Sequence, residues 1–127
     1  MANLNMGSAY PLTEETVKAQ VKDKIGNYAF RKFENNIWRV KYVGRSDSQL
    51  QKEIIQQARL HNMLNVEGYD FKFSYANSIT EAYEKECQNY HDFGENKCLL
   101  NERHPKKPAD NNHYHCPVES CPEHEDK

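Results

Sequence analysis

Two runs rich in β-forming residues, 25–33 (IGNYAFRKF) and 37–44 (IWRVKYVG), flank Glu34-Asn35-Asn36, and this spacing constrains the fold more than any other feature of the chain. Asparagine tolerates the left-handed backbone of a tight hairpin turn, so the two runs are expected to pair as antiparallel strands. In the second run Trp38, Val40 and Tyr42 alternate with Arg39 and Lys41. A period of two predicts an apolar face and a basic face.

From Ser46 to about Leu64 the period becomes helical. Leu50, Ile54 and Ala58 recur at four-residue steps, Ile55 and Leu60 widen the stripe, and Ser46 with Gln49 resembles a capping box. Residues 70–76 (DFKFSYA) alternate again and predict a third strand. Ser78 and Glu81 form a second capping box, opening a helix from Ile79 to Phe93 that Gly94 ends. Strand, strand, helix, strand, helix predicts an α+β domain: a small three-stranded antiparallel sheet flanked by helices. A chain of 127 residues has room for one such core. It is expected to span 24–104, between an N-terminal tail (1–23) and a Pro/His/Cys-rich C-terminal tail (105–127). A mean hydropathy of −1.03 agrees with tails outside a core. With no leader pattern and no run near the ~20 apolar residues of a membrane span, the chain is expected to be soluble and cytoplasmic.

Net charge is −2, but the charges are unevenly spread. Between Val17 and Arg45 stand eight basic residues against two acidic ones, a local +6, while the chain closes on EHEDK. Such a segment suits phosphate contact, or it is a solvated lysine-rich strand and linker.

The helix from Ile79 carries an anomaly. Placed at ~100° intervals, Ile79, Ala82, Tyr83, Cys87, Tyr90 and Phe93 share one arc, and Glu86 lies in the middle of it. A carboxylate on an apolar face loses several kcal/mol (order ~2–7) of hydration unless partnered. The partner is either a hairpin Arg or Lys, or a metal ion.

Gly26-Asn27-Tyr28 and Tyr42-Val43-Gly44, on consecutive predicted strands, with Glu86 on a later helix and Asn101 beyond it, resemble the GIY-YIG nuclease family over about residues 24–104. The resemblance implies a divalent-metal-dependent endonuclease that hydrolyses DNA phosphodiester bonds. It implies that Glu86 holds Mg²⁺ or Mn²⁺, that Tyr28 orients or deprotonates the attacking water, and that Tyr42 and Asn101 steady the site. The family's first-helix arginine has no counterpart here, since its place falls on Lys52 by an ungapped count or on Glu53 when Leu50 is aligned. Arg45 or Lys52 would then have to stabilise transition-state charge. Without the family pattern, Tyr28 and Tyr42 read as strand packing residues.

Potential ligands gather toward the C-terminus: Cys98, His104, His113, His115, Cys116, Cys121 and His124. The spacing of Cys116 and Cys121 is acceptable to Zn²⁺, with Cys98 or His104 expected to complete the set; the alternative is a tail with free thiols. Three functions therefore stand: a DNA endonuclease using Tyr28, Tyr42 and Glu86; a catalytically impaired nucleic-acid-binding module using Arg39, Lys41, Arg45 and Lys106; and a zinc-stabilised protein-interaction domain.

Overall fold

The computed structural model of the chain describes residues 4–101, 104–108, 114–118 and 121. In chain order the elements are β1 (Tyr10–Pro11), α1 (Glu14–Gln20), β2 (Gly26–Glu34), β3 (Ile37–Ser46), α2 (Leu50–Leu60), β4 (Tyr69–Tyr75), α3 (Ile79–Asp92) and the short α4 (Glu95–Cys98). The four strands form one antiparallel sheet in the order β1-β4-β2-β3. The class is α+β as expected, with a fourth strand that two residues of sequence could not announce.

The hairpin turns where expected. Asn35 and Asn36 both adopt left-handed backbone, with φ of 50° and 66°, the geometry that matches the twist of the flanking strands. Ser78 caps α3 as expected, its Oγ accepting from the Glu81 amide at 3.1 Å, but Ser46 ends β3 and its Oγ accepts from the Gln49 amide at 2.8 Å in the turn before α2, whose N-cap is Gln49 with no side-chain bond.

The expected alternation along β3 is broken. The register shifts between Phe30 and Arg31, whose partners are Tyr42 and Val40, so Lys41 is an extra residue in the ladder. Such a bulge reverses the facing of everything beyond it. Val40 therefore packs with Ala29, Val43, Tyr90 and Leu99 on one face of the sheet, whereas Tyr42 packs with Tyr28, Phe30, Leu50 and Ile54 on the other. Trp38, Val40 and Tyr42 do not share a face.

Residues 10–21, expected to lie in a tail, belong to the fold. Leu12, Val17 and Val21 are buried in the same core as Tyr28 and Phe71, and Thr13 caps α1 by accepting from the Thr16 amide. The apolar residues of this segment are too few and too widely spaced to reveal a period. Helices consequently cover both faces of the sheet: α1 and α2 on the Tyr28 face, α3 on the Ala29 face. No helix among the described residues is long and apolar enough to cross a membrane.

Candidate functional site

Glu86 sits near the middle of α3 and is buried, as the helical wheel requires. Its partner is the hairpin cation Arg45: Nη1 lies 2.5 Å from Glu86 Oε1, while Nε contacts Asp47 Oδ1 at 2.9 Å and the guanidinium covers the Tyr83 ring. Burial raises the Glu86 carboxyl to about 7, against the Arg45 charge that pulls it down. Burial acts on Arg45 to lower its pKa, but Glu86 and Asp47 outweigh it and the value is raised.

Tyr28 stands on the opposite face of the sheet and donates to Glu53 Oε2 at 3.1 Å. Its phenol has almost no exposure, and burial followed by the Glu53 charge pushes it well above its ordinary value. Burial, then Glu86 and Glu53, raise Tyr42 to about 12. Both phenols are therefore held as proton donors rather than bases. Gly44 explains how Tyr28 fits, because a Cβ at this position would overlap its phenol ring. A Cβ on Gly26 would meet the Ser74 carbonyl and Leu50.

At the edge of β3, Tyr42 and Glu86 border an open cleft of about 440 Å³ lined also by Gln57, His61, Asn101 and His104, among others. Asn101 is fastened to the strand edge: its Oδ1 accepts from the Val43 amide at 3.0 Å and its Nδ2 donates to the Val43 carbonyl at 2.7 Å. Lys106, exposed, stands on the rim.

Five of the six residues expected at a catalytic site, Tyr28, Tyr42, Arg45, Glu86 and Asn101, are thus neighbours or next neighbours. Lys52 is not. It is exposed on the outer side of α2, and Glu53 is the residue that turns inward to Tyr28. Burial raises the Glu53 carboxyl above its ordinary value, against the Tyr28 hydrogen bond and the Arg45 charge that lower it. Arg59 is engaged elsewhere, with Glu14 at 2.9 Å.

Arg39 and Lys41 lie away from the cleft, in a wider groove of about 750 Å³ shared with Trp38, Phe93 and Lys97. Lys32, Arg39 and Lys41 all share the one carboxylate of Glu34, so this patch keeps positive charge. Phe33, Ile37 and Trp38 are exposed at the hairpin tip, where Arg31 lies over the Trp38 ring.

Comparison of the chain with models of protein families, with curated proteins and with solved structures finds no match.

Mg²⁺ or Mn²⁺ fits poorly at Glu86. A hard divalent ion needs several oxygen donors, but Oε1 is held by Arg45, Glu53 accepts from Tyr28, and Arg45 already supplies positive charge beside the carboxylate. A different donor set suits a metal: ligand atoms of His91, His104, Cys116 and Cys121 all lie within 4.8 Å of one another. His104, Cys116 and Cys121 were expected there. His91 is an addition to that set, near the C-terminal end of α3 and one turn before Glu95. Cys98 is not in the cluster; it is exposed, with its side chain packed where a Cβ on Gly94 would fall. His115 is described and also stands outside the cluster, whereas His113 and His124 lie outside the described residues. None of the four cysteines forms a disulfide.

Proposed function

We propose that the chain is a nucleic-acid-binding domain in which a phosphodiesterase-like arrangement has lost the charges needed for cutting. The observation that carries this reading is Glu53. It turns inward to Tyr28 at one of the two positions where the GIY-YIG resemblance calls for a cation, and it adds a second carboxylate to a site that would face phosphate. Anionic transition states are stabilised by positive groups and preorganised donors, and here Arg45 is already neutralised by Glu86 and Asp47.

Binding would use the groove along β3. Arg39, Lys41 and Lys97 provide phosphate contacts, and Trp38 and Phe93 offer aromatic surface for bases, the combination that holds single strands without sequence preference. For a cofactor, the two thiols and two imidazoles favour Zn²⁺ over Mg²⁺ or Mn²⁺. Cysteines free of disulfides suit a reducing compartment such as the cytoplasm. Fluorescence anisotropy with labelled single-stranded and branched DNA tests the reading. Binding that weakens with salt and falls about tenfold in Trp38→Ala/Arg39→Glu supports it; no binding to either DNA overturns it.

A second reading, a metal-dependent DNA endonuclease, draws on one observation: Glu86, with a carboxyl at about 7, shares its cleft with Tyr42 and Asn101. Strongly shifted groups gather at functional sites. It requires Arg45 to release Glu86.

A further inference from the structure

We infer that His91, His104, Cys116 and Cys121 bind one Zn²⁺ ion, which staples the C-terminal segment to α3 and thereby holds the wall of the Glu86 cleft. This rests on reading the His/Cys cluster as a zinc site and does not require that the cleft or groove bind nucleic acid.

Four observations converge. The first is distance: a tetrahedral ion with bonds of about 2.0–2.3 Å places its ligands about 3.3–3.8 Å apart, and the four donor atoms already lie within 4.8 Å of one another. Small side-chain movements close the difference. The second is the donor set, since two sulfurs and two imidazole nitrogens match a closed structural zinc site and leave no position for a substrate.

The third observation is the orientation of His91. Its Nδ1 lies 2.6 Å from Glu95 Oε2, one helical turn further on, while its Nε2 is buried with no hydrogen-bond partner among the described residues. A carboxylate that holds one ring nitrogen fixes the tautomer and turns the other toward a metal. A buried imidazole nitrogen otherwise loses its hydration without compensation. His104 is oriented comparably, its Nδ1 lying 3.0 Å from the Pro105 carbonyl.

The fourth is what surrounds the site. Cys116 and Cys121 are buried against Tyr83 and Cys87 of α3, with Tyr114 and Val118 packed beside them among the described residues. So small an apolar patch does little to retain a proline-rich segment. An ion would supply the missing attachment, as in small domains whose folding depends on zinc. His104 also lines the cleft beside Glu86, together with Pro105 and Lys106. The segment leading to it is tied to β3 by Leu100 N to Lys41 O at 2.7 Å and by the Asn101–Val43 pair. An ion at His104 thus anchors the far end of the cleft wall.

The test uses the full chain. Elemental analysis of the purified protein should find one zinc per chain, and replacement by Co²⁺ should give the thiolate charge-transfer and tetrahedral visible bands of a two-sulfur, two-nitrogen site. His91→Ala and Cys121→Ser should lose the ion, Cys98→Ser should keep it, and Glu95→Gln should weaken affinity about 10- to 100-fold at unchanged stoichiometry. Because the ligand variants can fail to fold, the cobalt spectrum of the wild type stands as the independent readout. Absence of both zinc and the cobalt bands overturns the site, and zinc that survives His91→Ala with Cys121→Ser overturns the ligand set. Chelation should also raise amide exchange at Leu100 and Val43 while Phe30 stays protected. Unchanged exchange at Leu100 and Val43 on full zinc removal overturns the link to the cleft wall.

Discussion

The hairpin half of the molecule and its C-terminal patch differ in what is available to hold them together. Around Tyr28 and Phe30 the chain buries a continuous core from β2, β4, α1 and α2, with Leu12, Val17, Leu50, Ile54 and Phe71 all inaccessible. Around Cys116 and Cys121 the buried patch is a few residues on α3 beside a donor set for a metal. Hydrophobic burial is spread over many contacts and tolerates single losses, whereas ligation concentrates stability in one ion. Damage to the two regions should therefore look different.

The sharpest way to separate them is to remove metal. Chelation is expected to cost the C-terminal patch several kcal/mol (order ~5) of local stability, so that its amides exchange faster while β2 keeps its protection. Amide exchange measures it, and equal loss of protection in β2 would erase the distinction.

Next in size is the buried ion pair. Arg45→Met strands the Glu86 carboxylate and should destabilise the fold by about 3–5 kcal/mol at pH 8. The sign with pH follows from the raised carboxyl. Below about pH 4.5 Glu86 is protonated both folded and unfolded, so its stability is fully present there; it is lost as pH rises through about 7, where the folded group must ionise. The variant should consequently be much less destabilised at pH 5 than at pH 8. Urea titrations at the two pH values measure this, and adding Glu86→Gln should recover most of the loss at pH 8.

Two smaller effects probe how closely the sheet is packed. Gly44→Ala pushes a methyl group into the Tyr28 ring and should cost about 1–3 kcal/mol, measured as a drop in urea midpoint. Asn101→Ala removes two hydrogen bonds from the edge of β3 and should cost about 1–2 kcal/mol, with faster exchange of the Val43 amide.

What could be read from the sequence divides along the same line. The Asn35-Asn36 turn, the Ser78 cap and the buried arc containing Glu86 were all legible, because each is a local pattern with a local cause. Arg45 belonged to the hairpin cations proposed as partners for Glu86, although the choice among them needed three dimensions. The bulge at Lys41 was not legible: an inserted residue looks like any other in an alternating run. Which of Lys52 and Glu53 turns toward the sheet was not legible either, since the facing of α2 is set by its packing, and Glu53 is the one that meets Tyr28. His91 carried one weak signal, the four-residue step to Glu95, and the pair becomes informative only when Cys116 and Cys121 are brought beside it.

The most direct test of the central claim, nucleic-acid binding without cutting, follows both in the same samples. Plasmid and branched DNA would be incubated with the chain and Mg²⁺ or Mn²⁺, wild type beside Glu86→Ala, and scored for retardation and for cleavage. Retardation with intact DNA in both proteins is the predicted result. Cleavage by the wild type that disappears in Glu86→Ala would contradict it and establish the endonuclease instead.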